Sequence, residues 1–191
     1  AEAFRSIGRL DDAVTDYRKA IALQADNPKY HFGVASALAR KGDFKTAVAE
    51  YTKAIELYPE YLEAHLDRAV TVAVSGDHVG AVKLYEDVLE RWPTSTTALN
   101  NLAWILSTSE DPACRNGQRA IGLAEPAVKL LTKPDAELLD TLAAAYAESG
   151  RFDEAVKVQT EAVSLAGNSP EGRGYSARLE LYKVGKPYRV R

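Results

Sequence analysis

The chain has 191 residues, 46% of them hydrophobic and 27% charged, with a net charge of −3. This is the balance of a soluble protein, without the basic excess of a nucleic-acid-binding chain and without any apolar run near the roughly 18 residues of a membrane span. Its one cysteine cannot form an internal disulfide. We expect a soluble protein with no membrane insertion and no nucleic-acid partner, and the cytoplasm is slightly favoured over the periplasm.

A period of 34 residues organises the chain. Segments that begin at Gly8, Gly42 and Gly76 align without gaps as GRLDDAVTDYRKAIAL, GDFKTAVAEYTKAIEL and GDHVGAVKLYEDVLER, and GRFDEAVKVQTEAVSL matches them from Gly150. In each unit, apolar residues at helical spacing precede the glycine, which is expected to end that helix, and a second amphipathic helix follows. Each unit is therefore predicted to be a helical hairpin that stacks on its neighbours.

The predicted units follow one another along the whole chain. Only residues 4–7 remain of the helix before Gly8, and the chain starts without methionine, so we expect the natural protein to continue N-terminally. The units are a partial first repeat with a truncated first helix (1–27), repeat 2 (28–61), repeat 3 (62–95), repeat 4 with a loop insertion at 107–118 (96–133), repeat 5 (134–167), and a capping helix with a basic tail (168–191).

The insertion at 107–118 contains the only cysteine, Cys114, between the turn-forming pairs Asp111-Pro112 and Asn116-Gly117. Arg115 beside it favours a lowered thiol pKa, but no histidine is near in sequence, and we expect a plain exposed thiol. The insertion is interpreted as a lengthened joint between two helices. A second interpretation, that it forms a lip touching a partner, stays open.

The last segment departs from the period and is predicted to cap the array. Tyr175, Leu179 and Tyr182 form an apolar stripe at i, i+4 and i+7 of one helix. Basic residues then outnumber acidic ones towards the end of the chain. We interpret this part as a solvated cap and tail, with contact to an acidic partner as the less favoured alternative.

The sequence shows no pattern typical of catalysis. Phosphate-binding glycine loops, HExxH, CxxC and GxSxG are missing from it. His31 and His65 occupy equivalent repeat positions and are expected to pack between helices rather than bind metal. We therefore predict that the chain is not an enzyme and holds neither a metal nor a cofactor.

The repeats resemble those of the tetratricopeptide repeat (TPR) family over about residues 1–167. The family spacing of glycine, alanine, aromatic, alanine and proline stands here as Gly42, Ala47, Tyr51, Ala54 and Pro59. Gln159 departs from it, where the family has an aromatic residue. The resemblance implies an all-α, right-handed superhelical solenoid of antiparallel helix pairs with a C-terminal capping helix, and it suggests the C-terminal fragment of a bacterial TPR protein.

The first helix of each repeat has a second stripe of residues that its partner helix does not use. In TPR proteins this stripe lines a concave groove that holds a peptide. The Lys and Asn residues of the family's carboxylate clamp do not stand at the matching positions, so an apolar segment is the expected ligand. The predicted groove residues are Phe32, Ser36, Arg40, Leu66, Val70, Val74, Asn100, Asn101, Trp104 and Asp140.

We therefore predict a non-catalytic protein–protein interaction scaffold that binds a peptide or partner segment in this groove. Alternatively, Trp104 and Val70 only fill the interior of the superhelix. Two other functions compete with a scaffold. One is a C-terminal regulatory or substrate-presenting arm of a larger enzyme, and the other is self-association through the exposed N-terminal repeat.

Overall fold

The computed structural model describes the backbone of residues 2–190 and the side chains of residues 9–190. These residues form ten α-helices and one 3-10 turn, with no strand among them, which confirms the predicted all-α array of helix pairs. The chain divides into two compact units, unit 1 (residues 1–84) and unit 2 (residues 85–191). The helices are α1 (Glu2–Leu23), α2 (Pro28–Lys41), α3 (Phe44–Leu57), α4 (Leu62–Val74), α5 (His78–Arg91), α6 (Thr96–Thr108), α7 (Gly117–Lys129), α8 (Ala136–Glu148), α9 (Phe152–Ala166) and α10 (Pro170–Lys183).

Small and aromatic residues at the repeat positions build the core of unit 1. Ala35 on α2 and Ala47 and Ala54 on α3 are fully buried, and Tyr51 is 2% exposed. Alanine at a helix crossing lets two backbones approach, while the aromatic ring fills the space beside them. These are the positions that the periodic pattern selects, so the repeat fixes where the helices pack.

The turn between α2 and α3 shows why glycine recurs at the period. Gly42 has a φ of 85°, a left-handed conformation that costs little only for glycine. Its N–H donates to Ala39 O, and the N–H of Asp43 donates to Leu38 O, so two carbonyls at the end of α2 are satisfied. Asp43 then caps α3 by accepting from the N–H of Thr46.

The first helix differs from the prediction. α1 is one helix from Glu2 to Leu23, so the expected end of a helix at Gly8 is wrong. The left-handed glycines of the repeat pattern are Gly42, Gly76 and Gly150. The expected side-chain packing of residues 4–7 lies outside the described side chains.

Unit 2 contains α6 to α10, and its last helix caps the array as predicted. Tyr175, Leu179 and Tyr182 are 8%, 8% and 1% exposed. Tyr182 packs with Ala143 of α8 and Ala155 of α9, and Tyr175 lies in a second cluster between the same two helices. The apolar stripe of α10 therefore closes the open side of the last hairpin.

The connection between α6 and α7 is a compact joint. A single 3-10 turn, Pro112–Cys114, begins at Asp111, which caps it, and Asn116 caps α7. Gly117 lies so close to the end of α8 that a Cβ there would stand 2.8 Å from Ser149 N. Cys114 is 6% exposed, so the predicted exposed thiol is wrong: the turn folds the side chain inward.

Candidate functional site

The predicted groove residues of α2 differ in exposure. Phe32 is half-buried and stacks on Tyr61, with ring centroids 5.0 Å apart, while its edge meets Tyr51 at 5.6 Å. Ser36 is also half-buried, and Arg40 is exposed. Phe32 thus belongs to an aromatic cluster within unit 1, with only part of its ring left for a partner.

On α4, exposure of the predicted residues increases along the helix. Leu66 is half-buried, whereas Val70 is 37% exposed and Val74 is 64% exposed. Beside them, burial raises the pKa of Asp67, which accepts from the hydroxyl of Tyr51 (3.4 Å). The C-terminal part of α4 therefore presents an apolar surface next to a partly desolvated carboxylate.

Three of the second helices, α3, α5 and α9, contact a residue 16 positions later in the chain. In unit 1 this contact is the bond from Tyr51 to Asp67. In unit 2, Asn101 Nδ2 donates to the hydroxyl of Tyr85 (3.1 Å), and Gln159 Nε2 donates to Tyr175 O (3.1 Å). Asn101 therefore makes a contact within unit 2. Gln159, at the position of the usual aromatic residue, makes the corresponding contact with its amide.

Asp140 is a buried carboxylate held by two donors. It is 3% exposed, and its Oδ1 accepts from Gln159 Nε2 (2.6 Å) and from Arg178 Nε (2.7 Å). Burial raises the pKa of Asp140, and the two hydrogen bonds together with the charge of Arg178 oppose that rise. The predicted groove residue on α8 thus anchors α10.

The guanidinium of Arg178 lies among three aromatic rings. Its central carbon is 5.3 Å from the ring centroid of Trp104, 5.2 Å from that of Tyr175 and 5.1 Å from that of Tyr188. These distances are within the range of cation–π attraction. Trp104 also meets Tyr188 directly, with centroids 5.9 Å apart, so this predicted groove residue contacts the chain that follows α10.

Residues 186–190, here named the return segment, form no helix and fold back onto the C-terminal end of α6. The N–H of Val190 donates to Thr108 O (2.9 Å), and Arg189 Nη1 donates to Ser107 O (3.3 Å). The last carbonyls of an α-helix lack partners within the helix. Here the return segment supplies hydrogen-bond donors for the carbonyls of Ser107 and Thr108.

Glu148, at the C-terminal end of α8, joins this segment to the α6–α7 joint. Its Oε2 lies 2.6 Å from Arg189 Nη2, and its Oε1 accepts from Arg115 Nε (3.1 Å). The side chain of Glu148 is 13% exposed. One carboxylate thus lies between two guanidinium groups: it accepts a hydrogen bond from Arg115 and forms an ion pair with Arg189.

Asn100 completes the predicted residues of unit 2. It is 5% exposed, and its Nδ2 donates to Glu137 Oε1 (3.2 Å) at the start of α8. Asn100 is therefore used within the unit, and Trp104 is the predicted residue that meets the return segment.

The interpretation of the basic tail as solvated is wrong for residues 187–190 of the return segment. Pro187, Tyr188, Arg189 and Val190 are all half-buried. The sequence carries two signals of a packed, non-helical segment. Proline at position 187 disfavours a helix there, and the aromatic and apolar residues that follow it alternate with arginines. Glu148 and Arg178, which hold the segment, lie outside the stripe that the repeat pattern selected.

The described residues contain neither a cluster of metal ligands nor a membrane-spanning helix. Within residues 9–190 no three His, Cys, Asp or Glu side chains converge where they could hold a metal ion. No helix in the described part of the chain is long and apolar enough to cross a membrane. His31 and His65 are buried, as the repeat pattern predicts, and accept or donate within unit 1: His31 with Glu50 (2.8 Å) and His65 with Pro59 O (2.9 Å).

Hairpins of this kind, repeated with the same turn geometry along one chain, define a helical-repeat protein. Models of the TPR repeat match residues 1–42, and models of the tetratricopeptide repeat match residues 35–96 and 136–169. The chain belongs to the tetratricopeptide repeat family. Members of this family are typically non-catalytic scaffolds that bind protein partners.

Solved structures share this fold at low sequence identity. TTC0263, a thermophilic TPR protein of Thermus thermophilus, is 19% identical, with a TM-score of 0.68 and 94% of each chain covered. MamA from Desulfovibrio magneticus RS-1 is 17% identical, with a TM-score of 0.69, covering 85% of this chain and 89% of its own. YrrB, described as a TPR protein with an unusual peptide-binding site, is 14% identical, with a TM-score of 0.68, covering 92% and 88%. Comparison with curated protein sequences gives no significant match.

Proposed function

We propose that the chain is a non-catalytic scaffold that binds a short segment of a partner protein on the first-helix face of unit 2. One observation carries this proposal. That face already holds a non-helical segment, through a main-chain hydrogen bond from Val190 to Thr108 O and ring contact between Tyr188 and Trp104. A peptide from another protein can use the same carbonyl acceptors and ring faces.

Family membership and one structural neighbour support this proposal. TPR proteins bind protein partners, and YrrB is described as having a peptide-binding site. Trp and Arg are the residues that most often anchor protein interfaces, and Trp104 and Arg178 lie together here.

Unit 1 offers a second surface for partner contact, on α4. Val70 and Val74 are exposed apolar residues, 37% and 64%, on the stripe that the repeat pattern assigns to partner binding. We propose that this stripe, with Leu66, makes an apolar contact. The enzyme-arm and self-association functions stay predictions, because no contact among the described residues favours either.

Selection from a random peptide library tests the proposal in unit 2. Immobilised chain should enrich peptides whose binding falls about tenfold or more in Trp104→Ala, since a central aromatic anchor is worth about 2 kcal/mol or more. Leu165→Ala is the matched control, because Leu165 is an exposed apolar residue (49%) on α9. Enriched peptides that bind both variants equally well would refute the assignment to unit 2.

In unit 1 the comparison is between two exposed valines. Val74→Asp on α4 should weaken a partner that uses this surface, whereas Val79→Asp on α5, where the valine is 49% exposed, should not. Circular dichroism of each variant establishes that the helices are retained. Equal effects of the two substitutions would contradict the proposed surface on α4.

A further inference from the structure

The return segment indicates which ligand the unit 2 surface accepts. We propose that this surface selects non-helical segments in which an aromatic residue is followed by arginine and then by an apolar residue with a free N–H, and that Tyr188, Arg189 and Val190 are its internal occupants. A partner must therefore displace the return segment. This inference rests on the proposed function of unit 2. It adds the chemistry of the ligand and states that the return segment covers the surface when no partner is bound.

The aromatic position is defined by Arg178 and Trp104. The guanidinium of Arg178 is held by Asp140 at 2.7 Å, with rings of Trp104 and Tyr175 beside it, and Tyr188 is the third ring around it. Ring faces attract cations and pack against each other at such distances. An aliphatic side chain at this position gives packing but no attraction to the cation, so the site favours an aromatic residue.

The arginine position is defined by acceptors on two elements. Glu148 Oε2 lies 2.6 Å from Arg189 Nη2, and Ser107 O accepts from Nη1 (3.3 Å). A guanidinium is wide and planar, so it pairs with the carboxylate and donates to the carbonyl at the same time, whereas an ammonium is a single point of charge. Glu148 also accepts from Arg115, which holds the carboxylate in place when the segment leaves.

The third position requires a main-chain donor. Val190 gives its N–H to Thr108 O at the end of α6 (2.9 Å), and its side chain is half-buried. Proline has no N–H and is excluded there. The three positions together form a ligand pattern of aromatic residue, arginine and non-proline apolar residue in direct succession.

A short connection that contains glycine links the return segment to α10, and it allows the segment to detach and rebind. The segment follows α10 after Val184 and Gly185, and Gly185 has a φ of 67°, which glycine accepts readily. A cavity of ≈ 550 Å³ lies along it, lined by Leu181 and residues 187–190. A segment on so short a connection competes at an effective concentration of the order of millimolar. If the segment binds the open surface with a Kd of about 0.1 mM or lower, the intact chain should bind an external copy at least about tenfold more weakly than an opened chain.

The experiment measures binding of a labelled copy of the segment. The probe is a fluorescein-labelled, amidated peptide with the sequence of residues 185–191, GKPYRVR, and the readout is fluorescence anisotropy. The two proteins are the intact chain and a chain that ends after Gly185. We expect saturable binding to the shortened chain and binding at least about tenfold weaker to the intact one.

Substituted peptides test each position separately. Peptides with Tyr188→Ala, Arg189→Glu or Val190→Pro should each bind the shortened chain about tenfold or more weakly, as expected when an anchoring contact is lost. Lys186→Ala is the matched control, because Lys186 is exposed, and its peptide should bind like the original. Equal binding of all four substituted peptides would overturn the ligand pattern.

A second variant keeps the test valid if the shortened chain folds poorly. The 191-residue chain with Tyr188→Ala and Arg189→Glu loses the contacts to Arg178 and Glu148 without being shortened. It should bind the original peptide like the shortened chain. If neither opened protein binds the peptide better than the intact chain, the inference fails. Library peptides that need Trp104 but lack the pattern would then show that the proposed function holds without it, whereas failure to enrich any such peptide removes both.

Discussion

The buried pair of Asp140 and Arg178 gives the most direct test of how unit 2 is held together. Arg178→Met removes the guanidinium and keeps an unbranched side chain of similar length. Asp140, 3% exposed, is then left with the amide of Gln159 as its donor at 2.6 Å. Removing one partner of a buried ion pair costs about 3–5 kcal/mol, because the remaining charge is buried without compensation.

In this variant the carboxyl group of Asp140 can also become neutral, and the free-energy cost of protonation can be compared with the cost of burying the charge. It can take up a proton, at about 1.4 kcal/mol for each pH unit above its ordinary pKa of about 3.9. At pH 7 this is about 4 kcal/mol, which agrees with the cost of the uncompensated charge. At pH 5 it is only about 1.5 kcal/mol, so protonation limits the loss there.

The pH dependence follows from the direction of the shift. Burial raises the pKa of Asp140 in the folded protein, and loss of Arg178 raises it further. Stability from a raised carboxyl pKa is fully present below the unfolded pKa and is lost as the pH rises through the folded pKa. Arg178→Met should therefore lose at least about 1.5 kcal/mol of unfolding free energy at pH 5 and at least about 3–4 kcal/mol at pH 7. Loss of the cation–π contacts adds the same amount at both pH values.

Urea unfolding followed by tryptophan fluorescence measures this loss. In a Trp92→Phe background, Trp104 reports on its own surroundings in unit 2. Lys183→Met is the matched control on the same helix, because Lys183 pairs with Glu180 at the surface and such pairs contribute less than about 1 kcal/mol. A loss no larger than that of the control, or one that is the same at pH 5 and pH 7, would refute the reasoning.

Two further substitutions test buried polarity and the repeat turns. Tyr182→Phe should raise the unfolding free energy by about 1 kcal/mol, because the buried hydroxyl has no hydrogen-bond partner among the described residues. Tyr146→Phe is the control and should give no such gain, because its hydroxyl donates to Glu125 (2.9 Å). Urea titrations measure both variants, and a destabilised Tyr182→Phe would contradict this interpretation. Gly42→Ala should lose about 1–2 kcal/mol because its φ is 85°. Gly122→Ala, in the body of α7 with nothing near its Cβ position, should instead gain about 0.5–1 kcal/mol, and thermal melts that show the same sign for both would be inconsistent with the turn assignment.

The sequence predicted the repeat positions well because their residues act locally. Gly42 and Asp43 end one helix and begin the next through bonds within a few residues, and such turns are visible in a short window of sequence. Ala47 and Tyr51 face the core because helical spacing puts them on one side. The apolar stripe of α10 was found for the same reason.

The parts that the sequence did not predict depend on contacts between distant residues. Cys114 is 6% exposed although Arg115 and Asn116 directly follow it in the sequence. Gln159 breaks the family pattern, and its amide bonds to Asp140, 19 residues earlier, and to Tyr175 O, 16 residues later. The return segment meets α6 across 82 residues, a distance at which periodicity carries no information.

The bond between the return segment and α6 changes how the array opens. Repeat proteins generally fray from their ends, since a terminal hairpin touches only the one before it. Here Arg189 and Val190 bond to the carbonyls of Ser107 and Thr108, and the hairpin of α8 and α9 lies between these partners in the sequence. Because the return segment is bonded to α6, the α8–α9 hairpin cannot separate from α6 while these bonds hold. The amide hydrogens of α6 to α10 should therefore exchange as one cooperative block rather than progressively from the end of the chain.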